Sequence, residues 1–584
     1  MKLFARHSLT VEWLGSDDEL LLEGSWPWAQ RRPGRWSLDE AIDARFAWID
    51  RLATEYAEQT AQPGRFGQQT LNVAYINELS LRYYFVKLLR VAAFFRDVRP
   101  VEPGETVELH VSAPGDEPYV DLLEALAAAR GAKLNVRWYE LAPSIPAPPG
   151  RSLSWRRWAA RARRWSRLSP SSPAADQDDS PRVVLCGNPR ILNPVCAELV
   201  GRGWRVWWLY EKFAVRCWWR WCHAGVEQLV CETEEAPTSL FSEAWPGNPL
   251  SFEGVDLAKP VERWLGQRAA ELGAHQSRLI ERVETHFREV RPTALVLDED
   301  ATPLKRIAVA LARRHGARSA VVQHGAPCGR FGFAPPAADR ICVWGESARR
   351  QLTAWGVAEE RICVAGWPGL RRQLLSIGSR HQRVEPGTKR FLLLAGVPPR
   401  DERPDGVEFH LTVDDQAAML RAVTSVLSQI EGARLAVKLH PRAQETEFKL
   451  SGLAGSFPLR IVRSGELAAL LAESDCVLSC ASTAGIEAAL AGAPVIQLLP
   501  AGSGNILPAG DWGFVGSART AEELTALVPR ALARGWRRES QAAAQILADH
   551  GRQAAARIAD DLLLSKSQRI SASDNCATTA AAVW

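Results

Sequence analysis

Lys438 and His440 stand one residue apart near the end of an alternating run, and Ser482-Thr483 open an alanine-rich one. Together these residue types can hold a phosphate: basic groups from one strand end, hydroxyls from one helix start. In Leu435-Ala436-Val437-Lys438-Leu439-His440-Pro441, Leu435, Val437 and Leu439 share one face, and Lys438 and His440 the other. Pro441 lacks an N–H and ends the strand, which leaves His440 at its carboxyl edge. In Cys476 to Ile496 an apolar strand stops at small residues, a helix reads from Ala484 to Leu490, and Gly492 with Pro494 stops it. Ser482 and Thr483 therefore fall where unpaired N–H groups and the helix dipole favour an anion. The dipole alone contributes about 0.3–1 kcal/mol near a surface, so Lys438 or His440 must add to it. Glu487 is three residues from neither hydroxyl, forms no capping box, and is expected to face a cleft and accept hydrogen bonds from ribose hydroxyls.

A second group could do the bond-making. Asp298-Glu299-Asp300 follows the apolar strand Ala294 to Leu297, and His324-Gly325 follows the strand Ser319 to Val322. Carboxyl ends of parallel strands are where doubly wound folds place reactive groups. Transfer of a group from a phosphate to a hydroxyl needs a base near that hydroxyl, worth about 10²–10⁴ in rate, and stabilisation of the departing phosphate. Asp298, Glu299 and His324 are the candidates for that base. Against this, Asp298 and Asp300 fit the role of caps for the next helix about as well. Each motif also has a plain structural reading, as a strand end, a helix cap or a solvated glutamate. What favours chemistry is their order within one α/β segment.

The elements that must position these residues alternate regularly. A helix reads over Leu71 to Phe95, then strand Val107 to Val111, helix Tyr119 to Ala129 and strand Leu134 to Trp138 form a βαβ unit. A second series runs from strand Val183 to Leu185, through a helix over Pro194 to Val200, to strand Arg205 to Leu209. It continues with helix Leu304 to Arg314, entered through Thr302-Pro303, and with strands Ile341 to Trp344 and Ile362 to Val364. Strand Leu392 to Leu394 begins a further series through Val528. The fold class expected is α/β, with two Rossmann-like lobes and an N-terminal α/β extension. The divisions expected are 1–65 (an N-terminal segment), 66–150 (an α/β extension or the first part of the N-terminal lobe), 151–180 (a basic amphipathic helix and linker), 181–388 (the acceptor lobe), 389–565 (the nucleotide-donor lobe) and 566–584 (a disordered tail).

Glu487-Ala488-Ala489-Leu490-Ala491-Gly492-Ala493-Pro494-Val495-Ile496 resembles the glutamate–glycine–proline stretch in the nucleotide-binding lobe of GT-B-fold glycosyltransferases. Lys438-Leu439-His440-Pro441 and Ser482-Thr483 are similar to the His-Pro and Ser/Thr motifs of bacterial polysialyltransferases, capsular-polysaccharide transferases and CDP-glycerol glycerophosphotransferases. The resemblance covers roughly residues 290 to 530. It implies that His440 and the two hydroxyls hold the donor phosphate and Glu487 the ribose, and that His324-Gly325, similar to a histidine followed by glycine in the glycerophosphotransferases, equally fits contact with the leaving phosphate. The donor expected is a CMP-, CDP- or UDP-activated sugar or polyol phosphate, and the acceptor a surface polysaccharide or lipid-linked glycan. The reaction expected is inverting and independent of metal or other cofactor. Two rivals share the lobes: a UDP-N-acetylglucosamine 2-epimerase-like enzyme, and a catalytically silent polysaccharide assembly or export protein. The glycine-rich and acidic pattern expected of the epimerase near Val183 to Pro189 is not found.

Composition sets outer bounds. The chain has 584 residues, enough for several cores, and a formal net charge of +4, which makes no global demand for nucleic acid. Eleven cysteines include no Cys-x-x-Cys pair or metal-ligand spacing, which fits reduced structural thiols and a cytoplasmic location. The first residues lack the apolar core of a secretory signal, and no uncharged run is long enough to span a bilayer. On a helical wheel over Arg151 to Leu168, Trp155, Trp158 and Trp165 oppose a face of arginines. Peripheral contact with an anionic leaflet and a core-facing helix with a solvated basic face fit this about equally, and both better than single-stranded nucleic acid. The Trp204 to Trp221 cluster reads first as packing, and second as an apolar surface toward a lipid-linked acceptor.

Overall fold

The computed structural model describes residues 2–4, 19–21, 73–82, 84, 101–113, 117–140, 180–231, 251–252, 255–256, 258–330, 332–370, 372–377, 387–396, 413–440, 457–462, 467–480, 482–499, 507–536 and 540–563. Three parallel sheets organise them. The first contains β1 (Lys2–Phe4), β2 (Glu19–Leu21), β3 (Thr106–Ala113) and β4 (Lys133–Glu140), in the order β2-β1-β3-β4. Helix α1 (Val73–Ile76) precedes β3, and α2 (Glu117–Arg130) makes the crossover between β3 and β4. Of the helix expected over Leu71 to Phe95, the described residues are helical at 73–76, 78–82 and 84.

The second sheet is the first Rossmann-like lobe. Its elements are β5 (Arg182–Cys186), α3 (Pro189–Gly201), β6 (Arg205–Tyr210), α4 (Val215–Trp221) and β7 (Glu227–Val230). After the antiparallel pair β8 (Ser251–Phe252) and β9 (Val255–Asp256) come α5 (Ala258–Val290), β10 (Ala294–Leu297), α6 (Pro303–Arg314) and β11 (Arg318–Val322). The lobe's sheet is completed by β12 (Arg340–Val343), α7 (Glu346–Ala354) and β13 (Ile362–Val364). The strand order β13-β12-β11-β10-β5-β6-β7 reverses direction between β10 and β5, which opens a crevice at their carboxyl ends. The central strands are buried on both faces, so they read as apolar runs.

After α8 (Arg372–Leu375) the third sheet forms the other lobe. It consists of β14 (Lys389–Leu394), α9 (Val413–Ser428), β15 (Ala433–Lys438), β16 (Leu459–Val462), α10 (Leu467–Ala472), β17 (Cys476–Cys480), α11 (Thr483–Ala491), β18 (Val495–Leu498) and β19 (Gly516–Ala518). Its order is β16-β15-β14-β17-β18-β19, with the reversal between β14 and β17. Helix α12 (Ala521–Arg534) covers this sheet, and then α13 (Ser540–Ile546) and α14 (Gly551–Leu563) return to the first lobe, where α14 packs on α3.

That return is fixed through backbone. Ala548 N–H donates to Trp344 C=O, Trp367 N–H to Asp549 C=O, and Gly551 N–H to Trp367 C=O. A β-carbon on Gly366, whose φ is +100°, would collide with the Asp549 backbone, so only glycine serves both the turn and the close approach. The indoles of Trp344 and Trp367 stack at 3.8 Å beneath this crossing. One apolar cluster runs continuously from the first lobe through Trp344 and Trp512 to α11 of the second.

The long helix α5 has no counterpart in the sequence reading. Its buried Val261, Trp264, Leu279, Ile280, Val283, Phe287 and Val290 are interrupted by Gly266, Gly273 and a buried Gln276, which blurs the helical period. Gln276 is satisfied across elements, because its amide and that of Asn77 exchange two hydrogen bonds of 3.2 and 2.9 Å. Beside them the Glu78 carboxylate accepts from Arg82 and Arg306, and the Arg306 guanidinium lies 4.2 Å over the Tyr75 ring. The α1 region is thereby fastened to α5 and α6.

Candidate functional site

The helix that follows β17 begins as its sequence demands. Ser482 is the N-cap, with extended backbone, and its Oγ accepts from the Ala484 N–H at 3.2 Å. Gly492 ends α11 in the left-handed conformation, φ +96°. Gly485 lets the first turn press on β17, since a β-carbon there would overlap the Ser479 hydroxyl. Thr483 faces the other lobe, where its Oγ1 accepts from the Ala326 N–H at 2.9 Å. Both hydroxyl oxygens are acceptors in these bonds, and each keeps its O–H as a donor for an anion.

The Ala326 N–H belongs to the loop after β11, which carries His324 and Gly325. A β-carbon on Gly325 would sit 3.2 Å from Thr483 Oγ1, so glycine permits the two lobes to approach this closely. The structure thus joins the His324 loop to the Ser482-Thr483 helix start across the lobe boundary. The His324 side chain reaches the surface, yet the first-lobe residues around it exclude enough water to push its pKa below the ordinary 6.5. Its ring stacks on Phe333 at 4.8 Å and donates to the Asp298 backbone carbonyl. One ring nitrogen is fixed as donor and the other is left as a basic acceptor in the neutral imidazole that predominates at pH 7.

Asp298 and Glu299 sit beside it with their oxygens already engaged. Asp298 Oδ2 accepts from the Asn188 N–H at 2.8 Å, and Oδ1 lies 2.6 Å from Lys305 Nζ. Glu299 accepts from the Ala301 and Thr302 N–H groups and the Thr302 hydroxyl at 2.6–3.0 Å, and also pairs with Lys305. Burial alone would raise the Glu299 pKa, but Lys305 and the helix-start donors hold it below its ordinary value. Burial likewise opposes the charge on Lys305, and the two carboxylates raise its pKa over that opposition. The N-cap of α6 is Thr302, whose N–H and hydroxyl are held by Glu299, so neither Asp298 nor Asp300 caps the helix; Asp300 is buried and accepts from the Ala338 N–H at 2.8 Å.

The remaining candidates lie along the carboxyl edge of the third sheet. β15 ends at Lys438, whose ammonium donates to the Leu439 carbonyl at 3.1 Å and whose pKa is lowered by burial. His440 follows two residues later, half-buried; Pro441 lies outside the described residues. β14 stands between β15 and β17, which puts His440 and the Ser482 helix start about 10 Å apart across two strand spacings. That separation suits the two ends of one diphosphate-sized group better than joint contact with a single oxygen. Glu487 is half-buried in the second turn of α11. The basic segment with Trp155, Trp158 and Trp165 lies outside the described residues.

Sequence reading missed three residues that hold this arrangement. Lys305 was detectable as a lysine in the first turn of the helix after Asp-Glu-Asp. Asn188 both caps α3, accepting from Arg190 N–H, and donates to Asp298. Gln323 is buried at the end of β11, and its Oε1 accepts from the Trp344 N–H at 2.9 Å while Nε2 donates to the Gly325 carbonyl at 2.9 Å. Its own carbonyl accepts from Trp344 Nε1 at 3.1 Å. Gln323 therefore ties the His324 loop to the tryptophan pair under the lobe crossing. Gln323→Met leaves a buried N–H and C=O without partners, each costing about 1–3 kcal/mol. We expect kcat for nucleotide release to fall at least about tenfold with a smaller change in donor KM. Steady-state kinetics at saturating acceptor check this; an unchanged kcat removes Gln323 from the site.

No protein-family model matches the chain, and no curated protein matches it. Among solved structures it is similar to the UDP-GlcNAc 2-epimerase from Neisseria meningitidis bound to UDP-GlcNAc, at 10% identity over 65% of this chain and 99% of that one, with a TM-score of 0.39. The glycosyltransferase SnogD from Streptomyces nogalater matches at 15% identity over 66% and 100%, TM-score 0.36. The wall teichoic acid polymerase TagF matches at 11% over 70% and 93%, TM-score 0.33. Scores of this size carry no argument, and the two-lobed description stands on this chain's own strand order.

Proposed function

We propose that this chain is an inverting glycosyltransferase of GT-B type. It moves a sugar or polyol phosphate from a CMP-, CDP- or UDP-activated donor to a surface-polysaccharide or lipid-linked acceptor. The observation that carries the reading is the 2.9 Å bond between the Ala326 N–H and Thr483 Oγ1, which brings a neutral histidine against a helix start suited to a phosphate. His324 takes the proton from the acceptor hydroxyl as that oxygen attacks the carbon, or the phosphorus, of the donor. The bond to the leaving nucleotide phosphate breaks on the opposite side. Its growing negative charge meets the α11 N–H groups and the Ser482 and Thr483 O–H donors, with Lys438 and His440 at the far end. Glu487 accepts from the ribose. Lys305 already pairs with both Asp298 and Glu299, and the reading calls for no divalent cation there. The setting that fits is the inner face of a bacterial cytoplasmic membrane, in capsule or cell-envelope synthesis; among the described residues no helix is long and apolar enough to cross a membrane.

The test is incubation of the pure chain with CMP-, CDP- and UDP-activated donors, following nucleotide release with and without acceptor. Acceptor-dependent release supports transfer. Epimerised donor without acceptor supports the epimerase-like rival, and tight nucleotide binding without turnover supports a silent assembly protein. His440→Ala should raise donor KM roughly 10- to 100-fold, the scale of one charge-assisted hydrogen bond of about 1.5–3 kcal/mol. Its thermal midpoint should hold, because the side chain is half-buried. A variant with parental donor KM sinks the assignment of His440.

A further inference from the structure

Helix α4 carries a face that the site does not use. Trp219 is 73% exposed, the most open large apolar side chain among the described residues. Lys212, Arg216, Arg220 and His223 around it are also exposed, while Phe213, Trp218 and Trp221 are half-buried beneath. The rings form a continuous row: Phe213 to Trp218 and Trp218 to Trp219, each with centroids 6.3 Å apart. The Arg220 guanidinium lies 5.5 Å from the Trp221 ring centroid.

The row is held in place. The Gln228 side chain bonds both the N–H and the C=O of Ala214 at 3.0 and 2.9 Å, fixing the entry to α4. Trp221 Nε1 donates to Asn193 Oδ1 at 2.9 Å, fixing its exit to α3. The acidic groups near this face are Glu211, 3.5 Å from His275, and the exposed Glu227 on β7. Cations still predominate on α4 itself, which contains no acidic residue. The loop with Lys212 and Phe213 leaves the carboxyl edge of β6, the edge of the same sheet from which His324 leaves β11.

We propose that the α4 face docks on an anionic lipid bilayer, with the Trp219 indole at the headgroup level and Lys212, Arg216 and Arg220 against lipid phosphates. An amphipathic indole on a rigid helix, ringed by cations, is interfacial chemistry. The proposal deepens the lipid-linked acceptor reading, because it sets the carboxyl edge of the second sheet toward the surface where such an acceptor resides. It assigns the contact to α4 independently of residues 151–168.

The test is co-sedimentation of the full chain with vesicles of phosphatidylcholine, and with vesicles containing roughly one-third phosphatidylglycerol. The parent should bind the anionic vesicles, should lose them as salt rises, and should bind the neutral ones far less. A Trp219→Gln/Arg216→Gln/Arg220→Gln variant should bind about thirtyfold more weakly or worse, the scale of two juxtamembrane cations. Its thermal midpoint and its nucleotide release with a soluble acceptor should match the parent, since none of the three touches the site. The proposal is overturned if the variant binds like the parent, if neutral and anionic vesicles bind alike, or if neither binds. Salt-sensitive binding of a soluble acidic oligosaccharide in place of vesicles overturns it too. Vesicle binding decides the matter whichever way the nucleotide-release assay falls, so failure of the catalytic reading is seen separately.

Discussion

His324→Ala should lower acceptor-dependent nucleotide release by about 10²–10⁴ in kcat, the contribution of a positioned general base, and leave donor KM within a few-fold. The imidazole is the one candidate base in this site with an open side: Asp298 and Glu299 are engaged by Asn188, Lys305 and the Ala301 and Thr302 N–H groups. The pH dependence has a definite sign. Burial holds the His324 pKa below 6.5, so the neutral, basic form persists as pH falls past the value where an ordinary histidine would protonate. The acid limb of the kcat profile should therefore lie below pH 6.5 in the parent and be missing in the variant. The same shift bears on folding. The unfolded chain takes up this proton more readily than the folded one, so His324 weakens the fold as pH drops from 6.5 through its lowered pKa. The structural risk is loss of the Phe333 stack, so His324→Gln, which keeps a planar donor, should share the kinetic defect at an unchanged thermal midpoint. Residual activity within threefold of the parent in both variants removes His324 as the base.

The parts legible in the sequence are those whose pattern is local. The alternation of Leu435, Val437 and Leu439 with Lys438 and His440 marks a strand with one packed face, and burial follows it residue by residue. Ser482 and Gly492 delimit α11 because cap and left-handed stop are properties of single residues. The helix over Pro194 to Val200 instead starts at Pro189, capped by Asn188; an Asn-Pro entry is as good a signal as Thr302-Pro303, but Pro194 inside the helix draws the eye to a later start. What could not be read is who meets whom across lobes. Nothing near Thr483 in the chain indicates Ala326, and nothing near Gln323 indicates that its amide spans Trp344 and Gly325. The aspartate–glutamate string was ambiguous for the same reason: its chemistry depends on whether a cation arrives, and that cation is Lys305, in the first turn of the next element. The tryptophan cluster divides similarly, with Trp204, Trp207 and Trp208 buried and Trp219 open.

Lys305→Met should be the most destabilising single change near the site and should also move the pH profile. The ammonium stands between two carboxylates in a place where all three side chains are largely withdrawn from water, with exposures of 15%, 9% and 14% for Lys305, Asp298 and Glu299. Methionine nearly preserves the volume and removes the charge, leaving two buried anions with hydrogen bonds but no counter-ion. Breaking a buried pair from one side costs about 3–5 kcal/mol, and the N–H groups of Asn188, Ala301 and Thr302 keep the expectation toward the lower figure. In the parent, the lowered Glu299 pKa contributes stability above the ordinary carboxylate range, lost as pH falls through the folded value. Without Lys305, burial dominates and that pKa rises, so the variant should be least compromised in acid and worst at neutral pH. His324 responds in a linked way. Lys305 lowers the His324 pKa while Asp298 and Glu299 raise it, so deleting the ammonium moves the acid limb of kcat upward in pH. Thermal unfolding across pH together with a kcat profile checks both. A midpoint that falls equally at every pH, or an acid limb that stays in place, means the lysine is a packing residue and not the charge that sets the base.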